Sequence, residues 1–305
     1  SGVRLEEVMS LSDQASLYWG EISESRKTIP SPLSSNDVFS LMFPMVTVFL
    51  GGLPTGSTWL LAIGAIGCFL ANEPLLVLVV QRGKRMKREE SGQAQRALLV
   101  FALVAAGAGL TGIAFAPRPA QLAVLLPVVL GGGLIMMAMQ GLERSMFGEG
   151  LAATALSSIA VPLGLSAGLS LAVSLAVALI WVTTSLLGTA IVRLTVARSK
   201  AKTEEDRRRV RAKRALLIVL CLLIVAFGVA APFGSRPGLW VLAAAAPVAL
   251  VVLVMAALRP TARRLRLMGW SLVAVNLCSL IAVVTTLKII QDFDAVEPTL
   301  PFPMF

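Results

Sequence analysis

The chain is 305 residues long and 56% hydrophobic, with 27 Lys and Arg against 17 Asp and Glu, and it has no histidine. Runs of about 20 residues with almost no charge exclude a soluble globular domain, and the net charge of +10, gathered between those runs, reads as a topology signal rather than a nucleic-acid surface. The missing imidazole excludes bis-His haem, zinc-hydrolase and Ser-His chemistries, since each uses that ring to ligate metal or to move a proton near neutral pH.

Residues 1–37 are polar, with Leu5, Val8, Leu11, Leu17, Tyr18, Trp19 and Ile22 spaced among charges. This predicts an amphipathic helix on the membrane surface before the break at Pro30 and Pro32. The segment carries no short apolar core of the kind that marks a cleaved signal peptide. Nine apolar stretches follow, at 39–53, 57–80, 97–116, 120–140, 150–166, 169–192, 215–231, 239–257 and 268–287. They are apolar all round rather than alternating, so they predict helices and not barrel strands. The expected fold class is all-α, a polytopic transmembrane bundle of about nine helices over residues 38–287. The first and fifth stretches are short and are expected to tilt, break or extend into their flanks.

Of the 27 basic residues, Arg118, Arg236 and Lys288 fall in gaps on one side, and the other 24 lie in residues 1–37 and in the gaps after the second, fourth, sixth and eighth spans. Cytoplasmic loops retain Lys and Arg, so the expected N-terminus is cytoplasmic and the C-terminus outside, in a bacterial inner membrane. In the densest gap, Arg-Arg-Arg-Val-Arg-Ala-Lys-Arg at 207–214 follows Glu204, Glu205 and Asp206. That predicts a short charged helix or hairpin suited to lipid or partner contact. Residues 288–305 read as an outer tail containing Pro and Phe, in which Phe293, Leu300, Phe302, Met304 and Phe305 are too apolar to stay solvated and are expected to dock on a partner.

An ionisable group in hydrocarbon costs from about 2.5 kcal/mol upward, so each one near a span is a functional candidate. Asn36 and Asp37 open the first span, where the Ser34 to Asp37 cluster also reads as a helix N-cap. Asn72 and Glu73 sit inside the second span ahead of Pro74, with Glu73 about 10 Å deeper than Arg82 along a helix. Glu143, Arg144 and Glu149 connect the fourth and fifth spans. These seven residues form the candidate polar cleft on the basic side. Two readings of Glu73 stand: a contact for substrate, proton or cation, and a structural pair with Arg144 or another basic side chain. Glu143 and Glu149 read equally as an exposed loop.

Cys68, Cys221 and Cys278 lie in three different spans and read as small apolar fillers. The pairs Gly52–Gly56 and Gly164–Gly168 and the run Gly131-Gly132-Gly133 predict close helix approach within the bundle. Trp59, Trp240 and Trp270 stand at span ends as interfacial anchors, and Asn276, Thr183 and Thr184 predict hydrogen bonds between helices. With no histidine and scattered cysteines, no cofactor is expected on this chain's own His or Cys ligands. A lipid, quinone or pigment needs neither and stays open. No Gly-Lys-Ser/Thr phosphate loop is present.

Taken together, Asn72-Glu73-Pro74-Leu75-Leu76, Glu143-Arg144-Ser145 with Glu149, and Arg266-Leu267-Met268-Gly269-Trp270 resemble motifs of the YwiC-like family of bacterial membrane proteins, over about residues 33–287. The family's first motif, of the Glu-His-Gly-Ala-Trp type, is replaced here by Ser35-Asn36-Asp37-Val38-Phe39 before Pro44, without its His or Trp. The resemblance implies a fold, and the lost His implies that any chemistry of that motif has been abandoned. The layout is more distantly similar to UbiA-type intramembrane prenyltransferases, whose two Asp-rich motifs hold Mg²⁺ against a diphosphate. Here Asn72 and Glu73 are followed by apolar residues up to Gln81, and residues 193–202 contain no acid.

The leading functional expectation is a non-catalytic accessory or structural subunit of a larger bacterial membrane assembly, in contact with membrane lipids and other membrane subunits and with no nucleic acid. The alternatives are a carrier or channel for a small or amphipathic solute using Glu73, and a degenerate lipid-modifying enzyme of the UbiA type.

Overall fold

The computed structural model describes residues 35–79, 84–142, 145–231, 237–259, 261 and 264–296. Every regular element among them is helical: α1 Ser35–Gly51, α2 Gly56–Val79, α3 Lys84–Phe115, α4 Arg118–Ala123, α5 Leu125–Met139, α6 Met146–Ser158, α7 Ala160–Ser166, α8 Leu171–Lys200, α9 Glu204–Ala230, α10 Pro237–Ala243, α11 Ala246–Leu258 and α12 Leu265–Val296. Seven stretches are long and apolar enough to cross a membrane, and two shorter ones, Phe39–Gly51 and Gly56–Asn72, precede them. The chain is an all-helical, multi-pass membrane protein.

Three spans consist of two helices each, and one cause serves all three. The first member ends at Ala123, Ser158 or Ala243, in each case four residues before a proline: Pro127, Pro162 and Pro247. A proline has no N–H for the carbonyl four residues back, and its ring crowds that carbonyl, so the ladder is cut there. The fifth span, expected to be short, breaks in this way at Ile159 and also extends back to Met146. Pro44 and Pro74 lie inside continuous helices.

Several helices outrun their apolar stretch. α3 takes in the basic residues from Lys84 onward, and α12 continues to Val296, through the start of the segment expected as a tail. The charged run 207–214 is not a separate helix or hairpin. It is the first half of α9, whose start is set by a capping box in which Thr203 and Asp206 exchange side-chain to backbone hydrogen bonds. Glu204, Glu205 and Asp206 occupy the first turn, where the helix dipole favours negative charge.

α8 is the centre of the bundle and touches α6, α7, α9, α10, α11 and α12. The main core gathers Val48, Leu163, Val177, Ile180, Trp181 and Leu287, and a second cluster around Leu187, Ile191, Cys221, Val248 and Val252 lies further along α8. By contrast α3 packs on α2, and α5 on α6. Only 6% of the most apolar window of α3 is buried, and 6% of that in Arg118–Met139, against 44% for α8.

Candidate functional site

Glu149 is the member of the expected polar cleft whose partner is defined. It lies in the first turn of α6, not in a loop, behind the Ser145 N-cap that accepts from the Gly148 N–H at 3.0 Å. Arg193 of α8 grips it with both ends of the fork, Nε to Oε2 at 2.7 Å and Nη2 to Oε1 at 2.5 Å. Each side chain is more than a third exposed, so this bidentate pair contributes no more than about 1 kcal/mol. Its role is to fix the start of α6 against α8. Asn72 is half-buried in α2. Asn36 and Asp37 fall in the first turn of α1 and Glu73 in α2, but their side chains lie outside the described residues, as do Glu143 and Arg144. The side chain of Phe293 and the residues from Leu300 to Phe305 also lie outside them.

A second polar place, not legible in the sequence, is built around Trp181. Its indole is 1% exposed, stacks on Phe43 of α1 with centroids 4.9 Å apart, and donates from Nε1 to Thr47 Oγ1 at 3.0 Å. Thr47 passes its own proton to the Phe43 carbonyl at 2.7 Å, so its hydroxyl serves as acceptor and donor at once. One turn further along α1, Ser40 and Ser185 hydroxyls meet at 3.2 Å. The void beside them, bounded by Ser40, Phe43, Trp181, Thr184 and Asn276, is about 30 Å³, which suits a single water and not a solute. This place ties α1 to α8 and leaves no room for a substrate.

Two of the three polar residues expected to bond between helices, Thr184 and Asn276, bond within them instead. Thr184 donates to the Trp181 carbonyl at 3.2 Å and Asn276 to that of Leu272 at 2.9 Å, the local pattern by which a short polar side chain donates within its own helix, and Asn276 Oδ1 is buried without a partner among the described residues. Bonds between elements come from other residues. Ser57 and Thr58 at the start of α2 meet Ser166 at the end of α7, at 2.9 and 3.0 Å, and Gln291 of α12 donates to the Gly51 carbonyl at 2.7 Å. These bonds gather the helix ends beside the 52–55 turn.

The glycine expectations divide. A Cβ at Gly52 would meet Ala167, and one at Gly164 would meet Ser174, so both positions are close approaches, whereas Gly56, Gly168, Gly131 and Gly132 face open space. Gly168 serves another purpose: at φ +82 it ends α7 in a Schellman turn, with Leu169 N–H to the Gly164 carbonyl at 2.8 Å. Another close helix contact is unmarked by those motifs. Gly64 of α2 lies against Gly109 of α3, Gly67 against Ala105, and Gly112 of α3 against Leu60 and Leu61, backbone to backbone. Small residues one turn apart on two successive spans were the signal available for it.

Comparison with known proteins adds one match. The family model described as YwiC-like protein matches residues 39–164, so the resemblance holds over α1 to α7, while the Arg266 to Trp270 motif lies outside the matched part. No curated protein and no solved structure matches the chain.

Proposed function

We infer that this chain, which belongs to the YwiC-like family over residues 39–164, is a non-catalytic accessory or structural subunit of a larger bacterial membrane protein assembly. The observation that carries this reading is the outward face of the two peripheral helices. α3 turns Leu103, Gly107 and Leu110 outward, and α5 turns Val129, Gly132 and Met136, all exposed; a Cβ at either glycine would meet nothing within 4 Å. Facing lipid, a glycine forfeits side-chain contacts and costs about 1 kcal/mol of helix propensity relative to Ala. Facing another helix, it admits close backbone approach, which is how membrane helices associate.

Extraction in mild detergent is expected to bring stoichiometric partners down with the full-length protein. Gly107→Leu and Gly132→Leu are expected to release them while the thermal stability of the bundle is unchanged or up to about 1 kcal/mol higher, because the new side chain meets nothing and the glycine's propensity cost is removed. A lone monomer with turnover or transport would overturn the reading, and so would unchanged co-purification of both variants.

In this reading the arginine-rich end faces the cytoplasm of a bacterial inner membrane. A single cysteine at Ser199, in a protein otherwise free of cysteine, is expected to be protected from an impermeant thiol reagent in intact cells. Labelling from outside would reverse the orientation.

A further inference from the structure

A cavity of about 430 Å³ opens at the arginine-rich end of the bundle, between the last turns of α8, the first half of α9 and the C-terminus of α11. Five guanidinium groups line it, from Arg198, Arg207, Arg211, Arg214 and Arg259, against one carboxylate, Glu204. Apart from Thr195, its remaining wall is apolar, with Ile191, Leu194, Val210 and Met255. The acid is already engaged, by Arg211 at 2.5 Å and by Arg207 at 3.9 Å. Arg198 and Arg214 are aimed by main chain at the end of α11. Arg198 Nη1 donates to the Arg259 carbonyl at 2.7 Å, and Arg214 Nε to that of Ala256 at 2.8 Å. Among the described residues Arg198, Arg214 and Arg259 form no ion pair.

Three like charges thus stand beside one cavity: the bonds of Arg198 and Arg214 use only part of each guanidinium's five donors, and Arg259 joins them through its carbonyl rather than its guanidinium. The backbone supplies an independent sign. Arg259 caps α11 in the left-handed region, at φ 54 and ψ 57, and is the one non-glycine residue with positive φ among those described. Glycine is the usual occupant of such a position, and a side chain there costs about 1–2 kcal/mol. The chain keeps a guanidinium at the cavity wall in spite of that strain, as is common where a ligand is held. The apolar run of α9 begins directly after Arg214, which sets the cavity at head-group depth beside the bilayer.

We propose that this cavity binds the phosphate group of an ester, with the guanidinium forks on its oxygens and its carbon body against the apolar wall. Planar forks suit phosphate because each can donate two parallel hydrogen bonds to it. The ester comes either from an anionic phospholipid or from a small soluble phosphate, and both present the same group. The assignment is independent of the subunit reading.

The test uses the full chain in phosphatidylcholine nanodiscs. One arm adds phosphatidylglycerol and reads retained lipid by native mass spectrometry, and the other titrates inorganic phosphate and reads the shift of the unfolding temperature, each compared between parent and variants. The parent is expected to bind at least one of the two. Arg259→Gly is expected to weaken binding about tenfold, the effect of losing one charge-assisted partner. Its ligand-free stability should be unchanged or higher, because strain is relieved. Arg211→Gln is expected to weaken binding similarly, and Glu204→Gln to strengthen it several-fold by freeing Arg207 and Arg211. A purely structural arginine cluster would not give that opposite sign. Response to phosphatidylglycerol alone assigns the lipid head group, response to phosphate alone assigns a soluble ester, and either supports the site. Equal retention of phosphatidylcholine and phosphatidylglycerol without a phosphate response overturns it, as does unchanged binding in both arginine variants.

Discussion

Gly64→Leu is expected to destabilise the bundle by about 1–3 kcal/mol or more, the range for overpacking a contact that cannot relax. The Cβ alone would stand 2.7 Å from the Gly109 Cα and 2.9 Å from its nitrogen, and these are backbone atoms of the facing helix. A flexible side chain could turn away, but a helix backbone can give only by moving the whole of α3. Neighbouring contacts hold it in register, since a Cβ at Gly67 would lie 2.9 Å from the Ala105 nitrogen and one at Gly112 2.8 Å from that of Leu61. Gly107→Leu, on the opposite face of α3, is the matched control and should leave stability unchanged or up to about 1 kcal/mol higher, since its Cβ meets nothing and the glycine's propensity cost is removed. Thermal unfolding of the two variants in the same detergent decides it. Equal stability would mean that α2 and α3 do not touch along this line.

Trp181→Ala is expected to cost about 3–5 kcal/mol, the usual range for removing a large buried aromatic. The loss combines the stack on Phe43, the contacts of a fully enclosed indole, and the bond to Thr47 that joins α1 to α8. Trp181→Phe separates these contributions. It keeps an aromatic ring on Phe43 and removes the N–H, which between membrane helices is worth about 0.6 and at most about 1.7 kcal/mol. The expected order of unfolding temperature is therefore parent, Trp181→Phe, Trp181→Ala. If the alanine variant melts with the parent, Trp181 is not the link between α1 and α8. A chain that holds its first span this way should also lose protease protection near α1 before the rest of the bundle opens.

The legibility of the fold followed from how each property is encoded. Helical, membrane-spanning character is a property of composition within about 20 consecutive residues, because a segment in hydrocarbon must satisfy its own backbone hydrogen bonds and show apolar side chains all round. The nine apolar stretches and the breaks near Pro127, Pro162 and Pro247 are local in that sense. The lengths of α3, α9 and α12 were less accessible, since a helix does not stop where its apolar run stops. The Thr203 capping box begins α9 eleven residues ahead of Ala215, within a stretch whose charges alone read as a separate short helix or hairpin.

Residues of the site were harder still. Scarcity of charge near membrane spans is what marks the seven cleft candidates, and it marks Glu149 without its partner. In a sum of charges Arg193 is only one more basic residue on one side. The same counting concealed the cavity, because a topology sum records how many arginines lie in a gap and not which of them converge. Trp181 carries no charge or motif that marks it in the sequence, while Trp59 and Trp270 stand more than half exposed.

What the sequence by itself determined is an all-helical, multi-pass chain with its arginines at alternate ends of its spans and no imidazole for metal or proton chemistry. These follow from local hydropathy and composition, which act on each segment separately. Only the tertiary structure decided which small residues meet, that α8 is the centre while α3 and α5 stand at the edge, and that arginines from three helices surround one cavity. Those outcomes depend on which helix faces lie together. Nearly uniform apolar helices hold little information about facing, because lipid and a neighbouring helix are almost equally apolar surroundings, and the choice falls to steric fit and a few hydrogen bonds formed only when the helices pack.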